Sequence, residues 1–218
     1  MKSKYSLEKL DSFLTNYPII LEIYSKKEVL RLYENWHTNN GVFFHDYLWL
    51  LFNKAILKNG DIFQASNDES LFYQNAFFLY NCMAHFRREE GGSIEEINKF
   101  HRLSHKVYIE EAKNDKIGIK QEIALIPHPR CEYANSLSKK RYSINNFFDE
   151  CKIASEVCTL NSGCGCSITK VAKRDKNGDL IRELNTKKTN EFKEPKGCAF
   201  SLLSIIISFT VLIYSILY

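Results

Sequence analysis

Residues 93–112 read SIEEINKFHRLSHKVYIEEA, and this stretch carries a clear signal for the kind of fold the chain adopts. Ser93 stands three residues before Glu96, which is the capping box, in which a side chain at each position satisfies a free backbone amide at the start of a helix. Apolar residues then recur at helical spacing and form one stripe. The stretch predicts an amphipathic helix over residues 94–115 that packs by one face.

The same start signal occurs twice more in the first half of the chain. Ser25 precedes Glu28, and Ser66 precedes Glu69, at the capping-box spacing. Glycines that follow polar residues predict the helix ends, at Gly41, Gly60 and Gly91-Gly92. Together with the apolar periodicity, these signals predict helices over residues 6–15, 18–37, 42–58, 67–88, 94–115 and 138–157.

Composition agrees with a helical protein. Only 9 Gly and 4 Pro occur in 218 residues, which disfavours a turn-rich β-sandwich, and 15 Phe and 12 Tyr indicate an aromatic core. The predicted helix over 42–58 is apolar on nearly every side, so we expect it to be central. The 30 basic and 26 acidic residues are too evenly balanced for a dedicated nucleic-acid-binding protein.

After residue 117 the pattern changes from helical to extended. Residues 117–126 are predicted to be extended, and the segment 167–184 (SITKVAKRDKNGDLIREL) predicts a β-hairpin that turns at Asn177-Gly178. The predicted fold class is mainly α: a multi-helix globular body over 1–157, a small Cys-containing β-hairpin unit over 158–192, a juxtamembrane linker over 193–197 and a C-terminal transmembrane helix over 198–218.

The transmembrane prediction rests on residues 198–218, CAFSLLSIIISFTVLIYSILY, which include no charged residue. As a helix these residues measure about 31 Å, which matches the hydrocarbon core of a bilayer. No secretory signal is visible at the N-terminus. Four lysines precede the span, so the positive-inside rule places the body in the cytosol. We therefore expect a single-pass tail anchor in the endoplasmic reticulum or secretory-pathway membrane.

Cysteines suggest several kinds of chemistry. Cys198 lies at the membrane boundary and is the candidate for lipidation. Five more lie close together in the sequence, at Cys131, Cys151, Cys158, Cys164 and Cys166. A cytosolic body keeps such thiols reduced, whereas an exported one pairs them in disulfides. A soft metal held by Cys158, Cys164, Cys166 and His128 is a third interpretation, although the paired C-x2-C spacing of zinc sites is missing.

His101 and His105 form the candidate metal pair. Four residues apart on one helix, they point the same way, and two such histidines can bind Zn or Fe when a third ligand, such as His85, joins them. The chain lacks the H-E-x-x-H motif at this place. The alternative is a pair of structural histidines that pack, uncharged, against the adjoining helix.

Other motifs predict neither a catalytic residue nor a cofactor. Cys82 and Arg88 have the C-x5-R spacing of phosphatases, but the residues between them are bulky and helical in pattern, unlike a phosphate-binding loop. Residues Phe147-Phe148-Asp149 resemble the core of the FFAT peptide, which implies an endoplasmic-reticulum receptor as partner. They depart from it at Asn146, where the motif has an acidic residue. A helix that buries the two phenylalanines is the alternative.

These observations favour a tail-anchored membrane protein that presents a helical protein-interaction surface, with no catalytic activity evident and its protein partner unknown. One alternative is a membrane-anchored surface or exported antigen of a parasite-like organism, with disulfides among residues 131–166. A second alternative is a membrane-bound metalloenzyme that uses His101 and His105.

Overall fold

The computed structural model describes residues 2–40, 43–115, 117–158, 160 and 162–182, and shows a mainly helical protein with one small antiparallel sheet. The predicted mainly-α class is confirmed. The predicted linker over 193–197 and transmembrane helix over 198–218 lie outside the described residues. Among the described helices, none combines the length and the hydropathy needed to cross a bilayer.

In the described part of the chain, six helices come first, and the three strands follow with two short helices between them. The elements are α1 (Lys2–Asn16), α2 (Ile19–Ile23), α3 (Lys26–Asn40), α4 (Phe44–Ser66), α5 (Glu69–Glu89), α6 (Ile94–Asn114), β1 (Gln121–Ile126), α7 (Glu132–Ser136), β2 (Arg141–Ser143), α8 (Phe147–Glu150) and β3 (Ser167–Ala172).

Two of the three predicted capping boxes form. At the start of α6 the Ser93 hydroxyl accepts from the Glu96 amide at 3.2 Å, and the Glu96 carboxylate accepts from the Ser93 amide at 3.1 Å. Ser25 and Glu28 make the equivalent bonds before α3. Because this second box starts a helix at residue 26, the single helix predicted over 18–37 is in fact two, with Tyr24 extended between them.

The third predicted box is wrong, and so is the helix end at Gly60. Helix α4 runs through Gly60 to Ser66 and ends where Asn67 adopts a left-handed conformation with φ of 53°. Asp68, not Ser66, caps α5 by accepting from the Leu71 amide at 2.9 Å. Tertiary contacts explain the longer helix, because the buried Asn59 side chain bonds to α5 one residue before the predicted end.

The helix predicted over 138–157 is also wrong. This segment instead contains β2 and the single turn of α8. Tyr142 pairs with Ile123 of β1, and both side chains are fully buried while Arg141 and Ser143 are exposed. The alternation of buried and exposed side chains is that of a strand with one covered face, and pairing with β1 overrides the local helical tendency.

The sheet has the strand order β2-β1-β3, with both pairs antiparallel. Strand β3 pairs with β1 over its whole length, from Gln121 opposite Ala172 to Ile126 opposite Ser167. The predicted turn at Asn177-Gly178 is present, since Gly178 has φ of +89° and a bridge joins Arg174 to Leu180. Strand β3 therefore pairs over its whole length with β1, and the turn at Asn177-Gly178 closes only a short extension of the chain beyond β3.

Two hydrophobic cores hold the described part together. In the helical core, the rings of Phe13, Phe52 and Phe86 lie 5.3–5.7 Å apart. Helix α4 buries one side against its neighbours, less than the burial on nearly every side that its sequence predicted, and its Leu57 is 55% exposed. The second core lies against the sheet and contains Ile123, Tyr142 and five cysteines. Helix α6 joins the two, because its end supplies Ile109 to the second core.

Candidate functional site

The predicted histidine pair lies on α6, on the side that faces the protein interior. His105 is 3% exposed, and Nη2 of Arg88 donates to Nε2 of His101 at 3.2 Å. Burial lowers the pKa of His101 to about 4, helped by the charge of Arg88, and burial lowers the pKa of His105 to about 3. Both imidazoles are therefore neutral at pH 7.

The third ligand suggested by the sequence is engaged elsewhere. Nδ1 of His85 lies 3.1 Å from the Tyr17 hydroxyl and 3.5 Å from a Glu89 carboxylate oxygen, and Tyr17 donates to Glu89 at 2.5 Å. Within the part of the chain that the structure describes, no group of three or more His, Cys, Asp or Glu side chains is arranged to hold a metal ion.

A cluster of thiols is the most distinctive chemical feature of the described residues. Cys131, Cys158, Cys164 and Cys166, here called the thiol cluster, come from separate points of the chain, before α7, after α8 and just before β3. All four are buried, and none forms a disulfide. These residues lie within 36 positions of one another in the sequence, and the fold places them in one core.

The thiols of the cluster influence one another electrostatically. The pKa of Cys158 depends on Cys164, that of Cys166 depends on Cys164, and that of Cys131 depends on Cys166 and Cys158. The fifth cysteine of this core is Cys151, and burial, with a smaller contribution from Cys166, raises the pKa of its thiol. The four thiols of the cluster thus share one buried core with Cys151.

Their mutual contacts make the four thiols unequal. The contact with Cys164 is the largest influence on Cys158 and lowers the pKa of that thiol. The same contact raises the pKa of Cys164 to about 11, and contact with Cys164 together with burial raises the pKa of Cys166. Burial raises the pKa of Cys131.

Helices α5 and α6 hold the loop that carries Cys158 and Cys164. Oδ1 of Asn98 accepts from the Cys164 amide at 2.6 Å, and its Nδ2 donates to the Ser155 carbonyl at 3.2 Å. Nε of Arg88 donates to the Ser162 carbonyl at 2.5 Å. Because one buried amide group bonds to both ends of this loop, the position of the thiols is tied to α6.

A glycine lets the loop approach the helix closely. Gly163 has φ of +76°, and a Cβ built there would lie 2.5 Å from Cγ2 of Ile97, so a larger residue would be both strained and too close. On the other side of the cluster, the His128 amide donates to Sγ of Cys166 at 3.3 Å. His128, which the sequence suggested as a ligand beside the cysteines, thus contacts Cys166 through its backbone.

His105 joins the histidine pair to the thiol cluster. The backbone of Cys166 is the one influence that raises the otherwise lowered pKa of the His105 ring. Within the described residues, Nδ1 of His105 is buried and has no hydrogen-bond partner. Burial of such an atom is costly, and neighbouring polar groups in a low-dielectric core feel one another strongly.

The remaining predicted sites lie apart from this cluster or beyond the described residues. Cys82 and Arg88 lie inside α5, with no loop between them, and burial raises the pKa of Cys82 to about 11. Phe147, the first ring of the FFAT-like triplet, is fully buried against Tyr142. The lipidation candidate Cys198 lies outside the described residues.

Comparisons of the chain with family models, with curated proteins and with solved structures found no match.

Sequence reasoning missed the residues that position the thiols. Asn98 lies in the polar part of an amphipathic pattern, and Arg88 was considered only with Cys82. Neither is distinguishable in the sequence from a solvent-exposed helical residue. One signal was available for the loop, because a Gly between Ser162 and Cys164 is typical of a left-handed conformation or a close approach.

Proposed function

We propose that this chain is a membrane-anchored protein whose helical body presents an interaction surface to a protein partner at the cytosolic face of the endoplasmic reticulum or another secretory-pathway membrane. The observation that carries the proposal is the uncharged sequence of residues 198–218 directly after a lysine-containing segment.

The organisation of the chain supports a body that is separate from the membrane anchor. Residues from Met1 to Glu183 form one compact unit with hydrophobic cores of its own. A body of this kind does not need the apolar segment to complete its core, which leaves that segment available to the bilayer. The sheet and its thiol core belong to the body in this arrangement.

The interaction surface is supported by exposed apolar side chains on α5. Leu71 and Phe78 are seven residues apart, so they lie on the same helical face, and they are 38% and 45% exposed. Scattered apolar residues are normal on a protein surface, but two large ones on one face can bury substantial area against a partner.

Charged substitutions in the apolar segment test the anchor. The double variant Ile206→Arg/Val211→Arg of the full chain should lose membrane association, since each arginine at the centre of a span costs about 3 kcal/mol on insertion scales. The measurement is the fraction that stays with membranes after alkaline extraction, and Ile206→Leu/Val211→Ile is the matched control. Equal retention of the arginine variant and the control would contradict the proposal.

Serine substitutions on α5 test the surface separately. The variant Leu71→Ser/Phe78→Ser should lose a crosslinked complex between the full chain and its partner in intact cells while alkaline extraction stays unchanged. Leu57→Ser on α4, which removes another exposed leucine (55% exposed), is the control. If both variants keep the complex, α5 is not the interaction surface.

The thiol cluster favours a second candidate, the anchored surface or exported protein with disulfides. Several thiols in one buried core are suited to pairing in an oxidising compartment. Labelling of intact cells, and of cells permeabilised in denaturant, with a membrane-impermeant maleimide separates the two. The cytosolic proposal expects free thiols that react only after permeabilisation, whereas cysteines that stay blocked until reduction indicate the exported protein.

A further inference from the structure

We infer that the turn beyond β3 docks on anionic lipid headgroups at the membrane surface. The docking surface consists of residues 117–120 and 173–182, here called the basic arm. The inference rests on the proposed membrane anchor, because the anchor is what holds the arm near a bilayer. It goes beyond that proposal by naming the face of the body that meets the membrane and the class of lipid that this face binds.

Backbone hydrogen bonds hold the three short segments of the arm together. The Lys173 amide donates to the Lys120 carbonyl at 2.8 Å, and the Lys120 amide donates to the Ile181 carbonyl at 2.8 Å. The Ile181 amide in turn donates to the Lys173 carbonyl at 3.0 Å. Because each segment bonds to the other two, the arm projects its side chains from a fixed backbone.

The turn at the tip of the arm is also held in place. The Asp175 carboxylate accepts from the amides of Asn177 and Asp179 at 2.8 and 2.9 Å. Nη1 of Arg174 donates to the Gly178 carbonyl at 2.6 Å. A surface that is ordered before binding loses little conformational entropy when it docks.

Basic side chains outnumber acidic ones on the arm. Five basic residues and two acidic ones leave it with a charge of +3. Nζ of Lys173 lies 2.8 Å from the Glu122 carboxylate of β1, whereas the other four basic residues form no ion pair within the described residues. This unpaired charge favours an anionic partner. The basic residues are Lys120, Lys173, Arg174, Lys176 and Arg182, and all of them are exposed.

Two apolar side chains of the arm suit the boundary between headgroups and hydrocarbon. Ile117 is 59% exposed and Leu180 is 39% exposed. Leu180 lies opposite Arg174 across an antiparallel bridge, so these two side chains point to the same side. Surfaces that combine apolar and basic side chains bind at membrane interfaces, because the apolar groups enter the boundary region while the charges meet the lipid phosphates.

The sequence links the arm to the proposed anchor by a short connection. Residues 183–197 separate Arg182 from the start of the apolar segment at Cys198, and a fully extended connection of this length spans about 50 Å. An anchored chain therefore keeps the arm within this reach of the bilayer, which raises the local concentration of lipid around it. Under this condition a modest positive charge is enough for docking on an anionic surface.

Photocrosslinking of the full chain in vesicles tests the contact. The substitution Leu180→p-benzoylphenylalanine places a photoreactive group on the arm, and the vesicles contain either phosphatidylcholine alone or phosphatidylcholine mixed with phosphatidylserine. Mass spectrometry of the arm peptide measures the fraction that carries a lipid after irradiation. We expect about five-fold more lipid adduct with phosphatidylserine, and loss of this excess in about 1 M NaCl, which screens the charges.

Charge variants and a second labelling position make the test specific. Added to the photoreactive chain, Lys176→Glu/Arg182→Glu should abolish the excess, whereas the matched control Lys176→Arg/Arg182→Lys should keep it. Both side chains are exposed, so reversal of their charge leaves the cores of the body intact. The same photoreactive group at Leu57, an exposed leucine of α4, measures chance collisions with lipid.

The outcomes separate failure of the arm from failure of the anchor. Equal adduct with and without phosphatidylserine, or no more adduct at Leu180 than at Leu57, would overturn the inference while the chain still resists alkaline extraction. Extraction of the chain from both kinds of vesicle, measured without irradiation, would refute the anchor, and the inference about the arm would fail with it.

Discussion

The burial of His105 makes the stability of the protein depend on pH. Its pKa of about 3 lies below the unfolded value of 6.5, as does that of His101, at about 4. Between these values the unfolded chain binds protons that the folded chain does not. The stabilisation from neutral burial is thus complete above pH 6.5 and is lost progressively as the pH falls through the folded-state pKa values.

The double variant His101→Gln/His105→Gln should therefore show a flatter pH dependence of stability than the wild type between pH 6.5 and 4. Glutamine does not titrate, so this part of the proton linkage disappears. Urea unfolding at a series of pH values measures the change, and His37→Gln, at an exposed histidine of α3, is the control. A slope as steep as that of the wild type would show that the acid sensitivity comes from other groups.

Residue-scale features were also the hardest to predict. The histidine spacing correctly placed both side chains toward the interior, because helical periodicity determines which residues share a face. The role of Asn98 depends on a loop more than 50 positions away in the sequence, whose amide and carbonyl groups it bonds. No local pattern in a single sequence carries that information.

At the scale of elements, helix starts that carry a complete capping box are predicted correctly from the sequence. The boxes at Ser25 and Ser93 form as predicted, since both partners of the box lie within the same helical turn. Helix α4 passes through Gly60, and β2 replaces a predicted helix, because contacts with distant elements outweigh local preference. The described sheet likewise depends on the pairing of β1 with β3, which a hairpin signal alone does not indicate.

The continuity of α4 gives a prediction about Gly60. Nothing lies within 4 Å of a Cβ added there, and the residue is in mid-helix, so Gly60→Ala should stabilise the protein by about 0.5–1 kcal/mol through lower unfolded-state entropy. Thermal unfolding measures it. Gly178→Ala has equal space but a φ of +89°, so it should destabilise instead. A loss of stability at Gly60 would mean that α4 does not continue through this position.

At the scale of the whole molecule, the thiol core and the helical core belong to one unit that ends before the apolar segment. Helix α6 carries this connection: Tyr108 accepts from the Lys170 amide of β3 at 3.1 Å, and Lys170 lies 3.2 Å from the Asp115 carboxylate. Because the sheet is tied to α6 by these bonds and by Ile109, the two cores should unfold together.

A fragment of residues 1–183 should therefore be soluble and should unfold in a single transition, with a melting temperature close to that of the body in the detergent-solubilised full chain. The buried cores lie within the fragment, and residues 198–218 add nothing to them if they are embedded in lipid. Circular dichroism and calorimetry of both proteins provide the measurement. A second fragment, residues 1–157, is the control, and it should lose cooperativity because it lacks β3 and three thiols of the second core. If the 1–183 fragment aggregates as the 1–157 fragment does, the apolar segment packs against the body rather than against lipid.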